Sequence, residues 1–389
     1  MTGESGARPR RCAVIGAGVL GVCLAVRLAE AGAEVTLLER DEPGQAATRS
    51  SFAWLNSNDK APRAYHDLNE AGLRAWGRLA ARLDGAAWYR PAGNLEWAVS
   101  PAHRAELTAR VGRLTEWGYP ARLVDPAEAR VLEPSLRLPR PAPAVAWFPA
   151  EGYLLTVAMV SHLAERAVQQ GVKIMTGEPG RVIHFGTAAE AGRRVRVVRT
   201  ADGQEICADV VVCCAGTQVP QLAALAGAAS PVPLVPWMEP GASAPGLVVQ
   251  AGPVASPGPI RIMHTPLVDL RPHAGGLVHL EAPDAAVDLH TPEPELRRWA
   301  GELLSRARGV VDGLDDASVT GYRVCVRPMP ADGRSIVGWL PGASGVYAAV
   351  THSGVTLGAH LAELIAAEVL GGVAEPELAP FRPDRFLTG

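Results

Sequence analysis

Apolar runs of strand length alternate with stretches of helical periodicity over much of the chain. The run Cys12–Ile15 predicts a buried strand, and the positions after it follow a helical repeat up to Ala31. Residues 34–40 then predict a second apolar strand. This opening therefore predicts a β-α-β unit, the building block of parallel sheets.

Similar patterns recur further along. Helices are predicted over residues 64–83, 101–117 and 156–170, and the last helix ends at Leu370 before two glycines. Strands are predicted over 172–175, 208–214, 261–266, 269–273 and 345–350, with a small hairpin near 182–199. Residues 41–60 are polar and predict a loop.

Glycines at 16, 18 and 21 follow the first predicted strand and open the first predicted helix. In this setting the three glycines permit a tight turn, close approach of a pyrophosphate and close packing of the helix on the sheet. The N–H groups at the helix N-terminus then bind phosphate. The motif predicts a dinucleotide site.

Glu39 ends the second predicted strand, with Arg40 next to it. An acid at this position can accept hydrogen bonds from both ribose hydroxyls and disfavours a 2′-phosphate. The dinucleotide is therefore expected to be FAD or NAD rather than NADP. A second glycine motif of this kind is absent from the sequence.

Strand and helix signals of a dinucleotide domain occur in three separated blocks, with different material between them. We therefore predict an α/β fold with one discontinuous domain, residues 1–60, 145–230 and 325–389. Residues 61–144 and 231–324 are predicted to form a second, α+β domain built from the insertions.

The chain has 389 residues, of which 48% are hydrophobic and 20% charged, enough for a large core in two lobes. A net charge of −3 without a basic tract argues against nucleic acid as a partner. No apolar run approaches the ~20 residues that span a bilayer, so no membrane span is predicted. We expect a soluble, cytoplasmic protein, and no pattern indicates an oligomeric state.

Six cysteines, at 12, 23, 207, 213, 214 and 325, lack the spacing of metal ligands. Four of them lie in apolar strand or helix patterns, where a buried free thiol is expected. No metal site is predicted.

Three further motifs accompany the glycine turn. They are Phe148-Pro149…Gly152 before a helix, Asp209-Val210-Val211-Val212…Ala215-Gly216, and the tail Arg327-Pro328-Met329-Pro330-Ala331-Asp332-Gly333…Ile336-Val337-Gly338, which continues into Gly345-Val346-Tyr347 and His352-Ser353-Gly354. With these motifs the chain resembles the D-amino-acid oxidase/glycine oxidase/sarcosine oxidase superfamily of FAD-dependent oxidoreductases over nearly its whole length. The resemblance implies a Rossmann-like, discontinuous FAD-binding domain and a substrate domain whose β-sheet roofs the flavin.

The resemblance also implies which residues bind FAD. They are Gly16, Gly18, Val19, Leu20, Gly21, Glu39, Arg40, Thr48, Arg49, Ser50, Ser51, Val182, Ala215, Gly216, Cys325, Gly338, His352, Ser353, Gly354, Val355 and Thr356. The loop Ala46–Trp54 would lie beside the flavin, and the helix that opens at His352 would stabilise negative charge on reduced flavin.

Two residues of the tail carry more specific implications. Arg327 stands where glycine-oxidase-like members place the arginine that grips a substrate carboxylate; the alternative is a structural pair with Asp332 or Glu281. Cys325 keeps the spacing to Asp332 of the cysteine that carries the flavin covalently in monomeric sarcosine oxidases. The alternative is a small apolar residue that fills space on a strand.

His264 and His273, on the two strands predicted over 261–273, are candidate acid/base or substrate-binding groups, because histidine titrates near neutral pH. The alternative is a structural histidine. Trp54, Trp97 and Trp237 are candidates for an aromatic pocket or for ordinary core residues.

The sequence thus predicts a FAD-dependent enzyme that oxidises a C–N bond of an amino acid or N-substituted amino acid, by hydride transfer to flavin N5. Its partners would be a small amine or amino-acid substrate and oxygen or another electron acceptor. No lysine follows Lys173, so the ammonium that activates oxygen in relatives is missing, unless Arg261 or a protonated His264 replaces it. The alternatives are a flavin-dependent hydroxylase of the same fold and a FAD-bearing subunit of a larger dehydrogenase complex.

Overall fold

The computed structural model describes residues 9–140, 143–190 and 193–387; residues 1–8, 141–142, 191–192 and 388–389, parts of the predicted domains, lie outside the described residues. The strands are β1 Arg11–Ile15, β2 Glu34–Glu39, β3 Trp54–Leu55, β4 Tyr89–Arg90, β5 Asn94–Ala98, β6 Arg122–Val124, β7 Ala144–Phe148, β8 Gly152–Leu154, β9 Lys173–Thr176, β10 Val182–Glu190, β11 Arg193–Thr200, β12 Glu205–Ala208, β13 Val210–Cys213, β14 Pro245–Gly252, β15 Ile262–His264, β16 Asp269–His273, β17 Leu277–Glu281, β18 Ser318–Val326, β19 Ile336–Trp339 and β20 Val346–Val350. The α-helices are α1 Val19–Glu30, α2 Ala47–Ser50, α3 Arg63–Arg82, α4 Pro101–Glu116, α5 Pro126–Leu132, α6 Thr156–Gln169, α7 Val219–Leu225, α8 Glu293–Val310 and α9 Gly354–Gly371. Short 3-10 turns lie at Glu178–Gly180, Gly216–Gln218, Pro376–Phe381 and Pro383–Phe386.

The chain folds into two compact units. Unit 1 comprises Met1–Arg49, Thr156–Val235 and Arg327–Gly389, and unit 2 comprises Ser50–Leu155 and Pro236–Val326.

Unit 1 is built on a six-stranded sheet with the strand order β19-β20-β13-β1-β2-β9. The strands from β20 to β9 run parallel, and β19 pairs antiparallel with β20 at one edge. Strand β13 has the sequence VVVC and is buried throughout, as expected of a strand covered on both faces. Because the strands are parallel, the residues that follow β1, β2, β13 and β20 lie at one edge of the sheet.

Helices α1 and α9 pack against each other in this unit. Both are apolar over most of their length, and both bury leucines such as Leu24 and Leu361. The antiparallel sheet β10-β11-β12 adds Phe185 and Val198 to the core that it shares with the six-stranded sheet. Among the described residues, α9 is the one helix long and apolar enough to cross a membrane, but 61% of it is buried inside the structure, so it is a core helix.

Unit 2 contains an eight-stranded sheet with the order β18-β14-β17-β16-β15-β5-β7-β6, and a small sheet, β3-β8-β4. All pairs in the large sheet are antiparallel except β15 with β5. Helix α8 packs on one face, where Leu303 and Ala307 join Leu247 and Leu280 in a buried cluster. This face holds the core of unit 2.

The α/β fold class is confirmed, and the long periodic segments lie where the pattern places them. Ser100 caps α4 by accepting the N–H of His103 (3.3 Å), and Gly372 ends α9 in the left-handed conformation. The prediction of a polar loop over 41–60 is wrong in part, because α2 and β3 lie within it. Strand β3 has only two residues, too few for a periodic signal.

Candidate active site

The glycine turn after β1 is fixed by backbone contacts. The N–H of Gly16 donates to the carbonyl of Leu38 (2.7 Å), and Gly16 has a φ of +100°, which favours glycine. A Cβ on Gly21 would lie 1.8 Å from the carbonyl oxygen of Gly16, so α1 reaches the turn only because residue 21 is glycine. A Cβ on Gly18 would meet only the Thr48 hydroxyl, at 3.2 Å, and would otherwise project into open space.

Glu39 ends β2 beside this turn. Its carboxylate accepts the N–H of Ala17 (2.8 Å) and that of Asp41 (3.1 Å). The Thr48 hydroxyl accepts the N–H of Val19 at 3.1 Å, so the loop after β2 folds back onto the first turn of α1. The acid is thereby held at the mouth of the turn, where dinucleotide folds place the group that binds ribose.

A second helix N-terminus lies beside the first. The Thr351 hydroxyl accepts the N–H of Ser353 (3.1 Å) and the hydroxyl of Ser335 (2.8 Å), which fixes the entry to α9. A Cβ on Gly354 would touch Val19 Cγ1 at 3.7 Å, so α1 and α9 begin side by side. Two positive helix ends at one place favour an anionic ligand.

The remaining predicted FAD residues of unit 1 lie on several different elements. Ala215 and Gly216 follow β13 at the same sheet edge, and Leu20 is buried in α1. His352, Val355 and Thr356 flank the start of α9, and Val182 begins β10.

Several predicted FAD residues have other contacts. Gly338 lies in β19, where a Cβ would come within 2.7 Å of Pro383 in the C-terminal segment. The exposed Arg40 pairs with Asp41 (3.1 Å), and Arg49 donates to Gln45 (2.9 Å).

The predicted loop is divided between the units after Arg49. Ser50 and Ser51 therefore belong to unit 2, where the Ser51 hydroxyl accepts the N–H of Ala53 (2.9 Å). Ala53 has a φ of +62°, a strained value for a residue with a Cβ.

The face of the eight-stranded sheet opposite α8 is polar. Strand alternation and register place these side chains on it: Asn94 and Glu96 of β5, Gln250 of β14, His264 of β15, Asp269, Arg271 and His273 of β16, His279 and Glu281 of β17, and Cys325 of β18. We call this surface the polar face. It brings together both histidines that the sequence analysis selected and most of the other titratable groups of these strands.

A buried carboxylate, Glu151, organises one end of the polar face. Each of its oxygens accepts three hydrogen bonds; Oε1 accepts from Tyr119 Oη (2.8 Å), Asn58 N (3.2 Å) and Ser57 N (3.3 Å), and Oε2 from Trp54 Nε1 (3.0 Å), Asn58 Nδ2 (3.1 Å) and Asn94 Nδ2 (3.1 Å). Burial raises the pKa of Glu151 to about 7, although the hydrogen bonds oppose this shift. Glu151 therefore fixes loop 54–58 against β5.

His264 contacts two of the residues that donate to Glu151, namely Asn94 and Trp54. Its Nδ1 lies 2.9 Å from Asn94 Oδ1, and its ring packs against the Trp54 ring at an interplanar angle of 36°, with centroids 3.9 Å apart. Burial, Arg110 and Lys60 lower the pKa of His264 to about 3. Because Asn94 donates its amide to Glu151, its oxygen must accept the Nδ1 proton of a neutral His264. Nε2 is then left as an acceptor.

A family model described as FAD dependent oxidoreductase, DAO, matches residues 11–368 of the chain. The chain belongs to the DAO family. A relative of Bacillus subtilis (strain 168), named uncharacterized oxidoreductase YurR, is 27% identical over 407 residues, which cover 95% of this chain and 97% of the relative.

Solved structures with the same fold include three oxidoreductases. A glycine oxidase from Geobacillus kaustophilus has a TM-score of 0.78 at 19% identity, over 97% of this chain and 100% of that one. An L-proline dehydrogenase from P. horikoshii reaches 0.80 at 19% identity, over 97% and 98%. An L-amino acid deaminase from Proteus vulgaris reaches 0.80 at 21% identity, over 99% and 97%. At these identities the likeness shows the fold.

The cofactor of this DAO-family protein is FAD, and unit 1 fits it. A Cβ on Gly16 or Gly21 would collide with backbone atoms. The space at the start of α1, which a Cβ on Gly18 would enter, is called the cradle here. Glu39 is fixed beside that cradle, and α9 adds a second helix N-terminus. The donors suit a diphosphate, and the acid suits a ribose.

The tail of the sequence motif is divided between the two units. Cys325 lies buried in β18, opposite Gly246, and Arg327 follows the strand. The Asp332 carboxylate, one of the two proposed structural partners of Arg327, pairs with Arg334 (3.0 Å) and Arg385 (2.9 Å).

Both candidate replacements for the missing lysine are unsuitable cations. The guanidinium of Arg261 donates to the carbonyls of Leu132 and Ala92 (both 2.5 Å) and stacks over Trp147. His264 is held neutral, as described above. Trp97 belongs to the buried core cluster rather than to an aromatic pocket.

Sequence reasoning missed Glu151, Asn94, Tyr119, Lys60 and Arg271. Glu151 lies within the Phe148…Gly152 motif. The residues that donate to it are remote in sequence, so the spacing of residues along the chain does not reveal this hydrogen-bond network. A group of potential metal ligands, His66, Asp67 and Glu70, lies on one face of α3, with ligand atoms within 4.8 Å of one another. Its two acids are ion-paired with arginines of the same helix.

Proposed function

We propose that this DAO-family enzyme oxidises a C–N bond of an amino acid or N-substituted amino acid. FAD, when bound, supplies the hydride acceptor at N5. Oxygen or another acceptor at the flavin face would take up the electrons, since the chain has no second dinucleotide motif.

The observation that carries this proposal is the neutral His264 on the polar face. An amine releases a hydride from its α-carbon only when its nitrogen is unprotonated, and a neutral Nε2 can accept an N–H of that amine. Lys60 and Arg110, which lower the pKa of His264, also disfavour a positive charge on an amine bound there. His264 is thus proposed as the catalytic residue that orients the amine.

Other roles follow from the resemblance. Arg327 is proposed to bind the α-carboxylate, because its planar fork matches a carboxylate with two hydrogen bonds. Cys325, on the edge strand of the polar face, is proposed as the point of covalent attachment of FAD. Ser50, Ser51 and the start of α9 are proposed to contact the flavin.

Anaerobic mixing of the FAD-loaded protein with candidate electron donors tests the proposal. We expect loss of flavin absorbance with an amino acid or N-substituted amino acid and none with NADH or NADPH. Reduction by NAD(P)H alone would support a hydroxylase instead, and a flavin that no amine reduces would contradict the proposal. Acid precipitation then shows whether the yellow colour stays with the protein, as covalent attachment at Cys325 requires.

A further inference from the structure

Arg271 of β16 is a buried cation on the polar face. The residue is 1% exposed, and Glu281, on the neighbouring strand β17, favours its positive charge electrostatically. Its guanidinium donates to the carbonyls of Phe52 and Pro272 (2.9 Å for Pro272) and lies over the Tyr153 ring, 4.9 Å from the centroid. Burial lowers the pKa of Arg271 to about 10, which leaves it charged at neutral pH.

Two histidines complete the surroundings of Arg271. Its NH1 lies 3.3 Å from Nδ1 of His273 and its NH2 lies 2.9 Å from Nδ1 of His279, and the two rings stack at 4.0 Å. Arginine can only donate, so Nδ1 of His273 accepts and Nε2 of the neutral His273 ring carries the proton. Arg271 therefore polarises the His273 imidazole, whose Nε2–H group is a donor.

A cavity of about 270 Å³ lies beside this cluster. Arg90, Tyr153 and His273 supply its polar wall, and Pro91, Leu155 and Ile260 supply apolar wall. None of the residues that line it is acidic. The cavity thus combines hydrogen-bond donors with two nearby guanidinium groups and an apolar side.

We propose that this cavity is a subsite for an anionic group of the substrate, a carboxylate on its side chain or N-substituent. Tyr153 and His273 donate hydrogen bonds to the carboxylate, Arg90 lies at the rim, and Arg271 supplies the charge behind His273. The apolar wall takes the methylene groups that carry the carboxylate. The substrate class is then an amino acid with a second acidic group, in addition to the α-carboxylate assigned to Arg327.

The physical reason is charge balance. Burial of the Arg271 guanidinium costs desolvation energy, which the attraction of Glu281 offsets only in part, because the pKa of Arg271 stays lowered. A carboxylate in the cavity adds negative charge near Arg271 in a region of low dielectric, where such hydrogen bonds are strong. An uncharged group of the same shape gains neither effect.

The inference rests on the proposed function for the identity of the ligand, but its test needs no turnover. Isothermal titration calorimetry of the oxidised, FAD-loaded protein compares glutarate with glutaramate, its analogue in which an amide replaces one carboxylate. We expect glutarate to bind at least about tenfold more tightly to the wild type. Arg271→Gln should remove that preference and leave glutaramate affinity unchanged. Equal affinity of the two ligands for the wild type, or an equal loss of both in Arg271→Gln, would overturn the subsite.

Further variants keep the test decisive if Arg271→Gln does not fold. Arg90→Gln and His273→Phe, which retains a ring for stacking, should each reduce the preference for glutarate. Arg308→Gln is the matched control, because Arg308 also donates to backbone carbonyls, of Leu314 and Ala317, but lies outside the cavity. It should preserve the preference. A protein that no amine reduces but that retains this ligand preference would contradict only the proposed function.

Discussion

The ring of His264 packs against that of Trp54 with centroids 3.9 Å apart, and the indole N–H of Trp54 donates to Glu151. Glu151 also holds Asn94, the residue that binds the other side of His264. One buried carboxylate thus fixes both the ring plane and the tautomer of the histidine. Glu151 acts as a positioning residue, because the structure shows no direct contact between it and His264.

The first prediction concerns Asn94. Asn94→Leu removes the acceptor for the Nδ1 proton of His264 while keeping a similar volume, so the fixed tautomer should be lost. We expect kcat/KM for the amine substrate to fall about tenfold, the cost of one hydrogen bond of about 1.4 kcal/mol. Nitrogen NMR of labelled histidine should show one neutral tautomer in the wild type and a mixture in the variant. An unchanged spectrum would show that Asn94 does not position His264.

The second prediction concerns the glycine turn. Gly21→Val places a side chain where even a Cβ would lie 1.8 Å from the Gly16 carbonyl, so α1 must move away from the turn. We expect loss of bound FAD and a decrease of about 1–3 kcal/mol in the free energy of unfolding. Gly301→Ala in α8 is the control, since its Cβ would meet nothing within 4 Å, and it should retain FAD. If the Gly21→Val protein were yellow, with FAD bound as in the wild type, the assignment of the cradle as the FAD site would be wrong.

The third prediction concerns Glu39. Glu39→Ala should weaken FAD binding by about 1–3 kcal/mol, because charge-assisted hydrogen bonds to the ribose are lost. Glu42→Ala, which removes an exposed acid of the same loop, should leave the affinity unchanged. Fluorescence titration of the apoprotein with FAD measures both, and equal affinities for the two variants would mean that Glu39 is not the ribose acid.

The position of the cradle could be predicted from the sequence, because Gly16, Gly21 and Glu39 belong to one local β-α-β unit with fixed spacing. The hydrogen-bond network of Glu151 could not be predicted, because its donors come from residues 54–58, 94 and 119, which only the folded chain brings together. The same holds for Arg271, because the sequence pattern does not distinguish it from other arginines on strands and several of its contacts come from other elements. Local periodicity predicts elements, whereas buried polar networks depend on tertiary contacts.

The fourth prediction is a pH dependence of stability with two opposite parts. Burial, then Arg271, lowers the pKa of His279 to about 2, so its contribution is complete above the unfolded value of about 6.5 and is lost as the pH falls below it. For His360 burial opposes the shift, but hydrogen bonds with Glu363 and Glu377 raise the pKa to about 9. Its contribution is complete below about 6.5 and is lost as the pH rises towards 9.

Urea unfolding at several pH values separates the two contributions. For each histidine the slope is at most about 1.4 kcal/mol per pH unit. His279→Gln should flatten the acid side of the profile only, and His360→Gln the alkaline side only. If His279→Gln leaves the acid side unchanged, another group causes the acid sensitivity.

The fifth prediction concerns reoxidation. The chain contains two lysines, Lys60 and Lys173, and Arg261 and His264 are unsuitable as the cation that stabilises superoxide. Lys60 follows loop 54–58, which Glu151 holds by hydrogen bonds. Burial lowers the pKa of Lys60, while Asp59 and Glu151 oppose this shift. The charge of Lys60 acts on the polar face through His264. We expect measurable but modest reactivity with oxygen, with artificial dye acceptors at least competitive.

Stopped-flow reoxidation of the substrate-reduced enzyme in air-saturated buffer measures this rate directly. Lys60→Met should lower it several-fold, because a fixed positive charge near the reacting oxygen stabilises the developing anion. Lys173→Met is a matched control, since the exposed Lys173 lies in β9 at the edge of the unit 1 sheet. A rate like that of a dedicated oxidase, unchanged in Lys60→Met but lost in Arg261→Ala, would contradict the prediction. The replacement cation would then be Arg261, released from the carbonyls of Leu132 and Ala92.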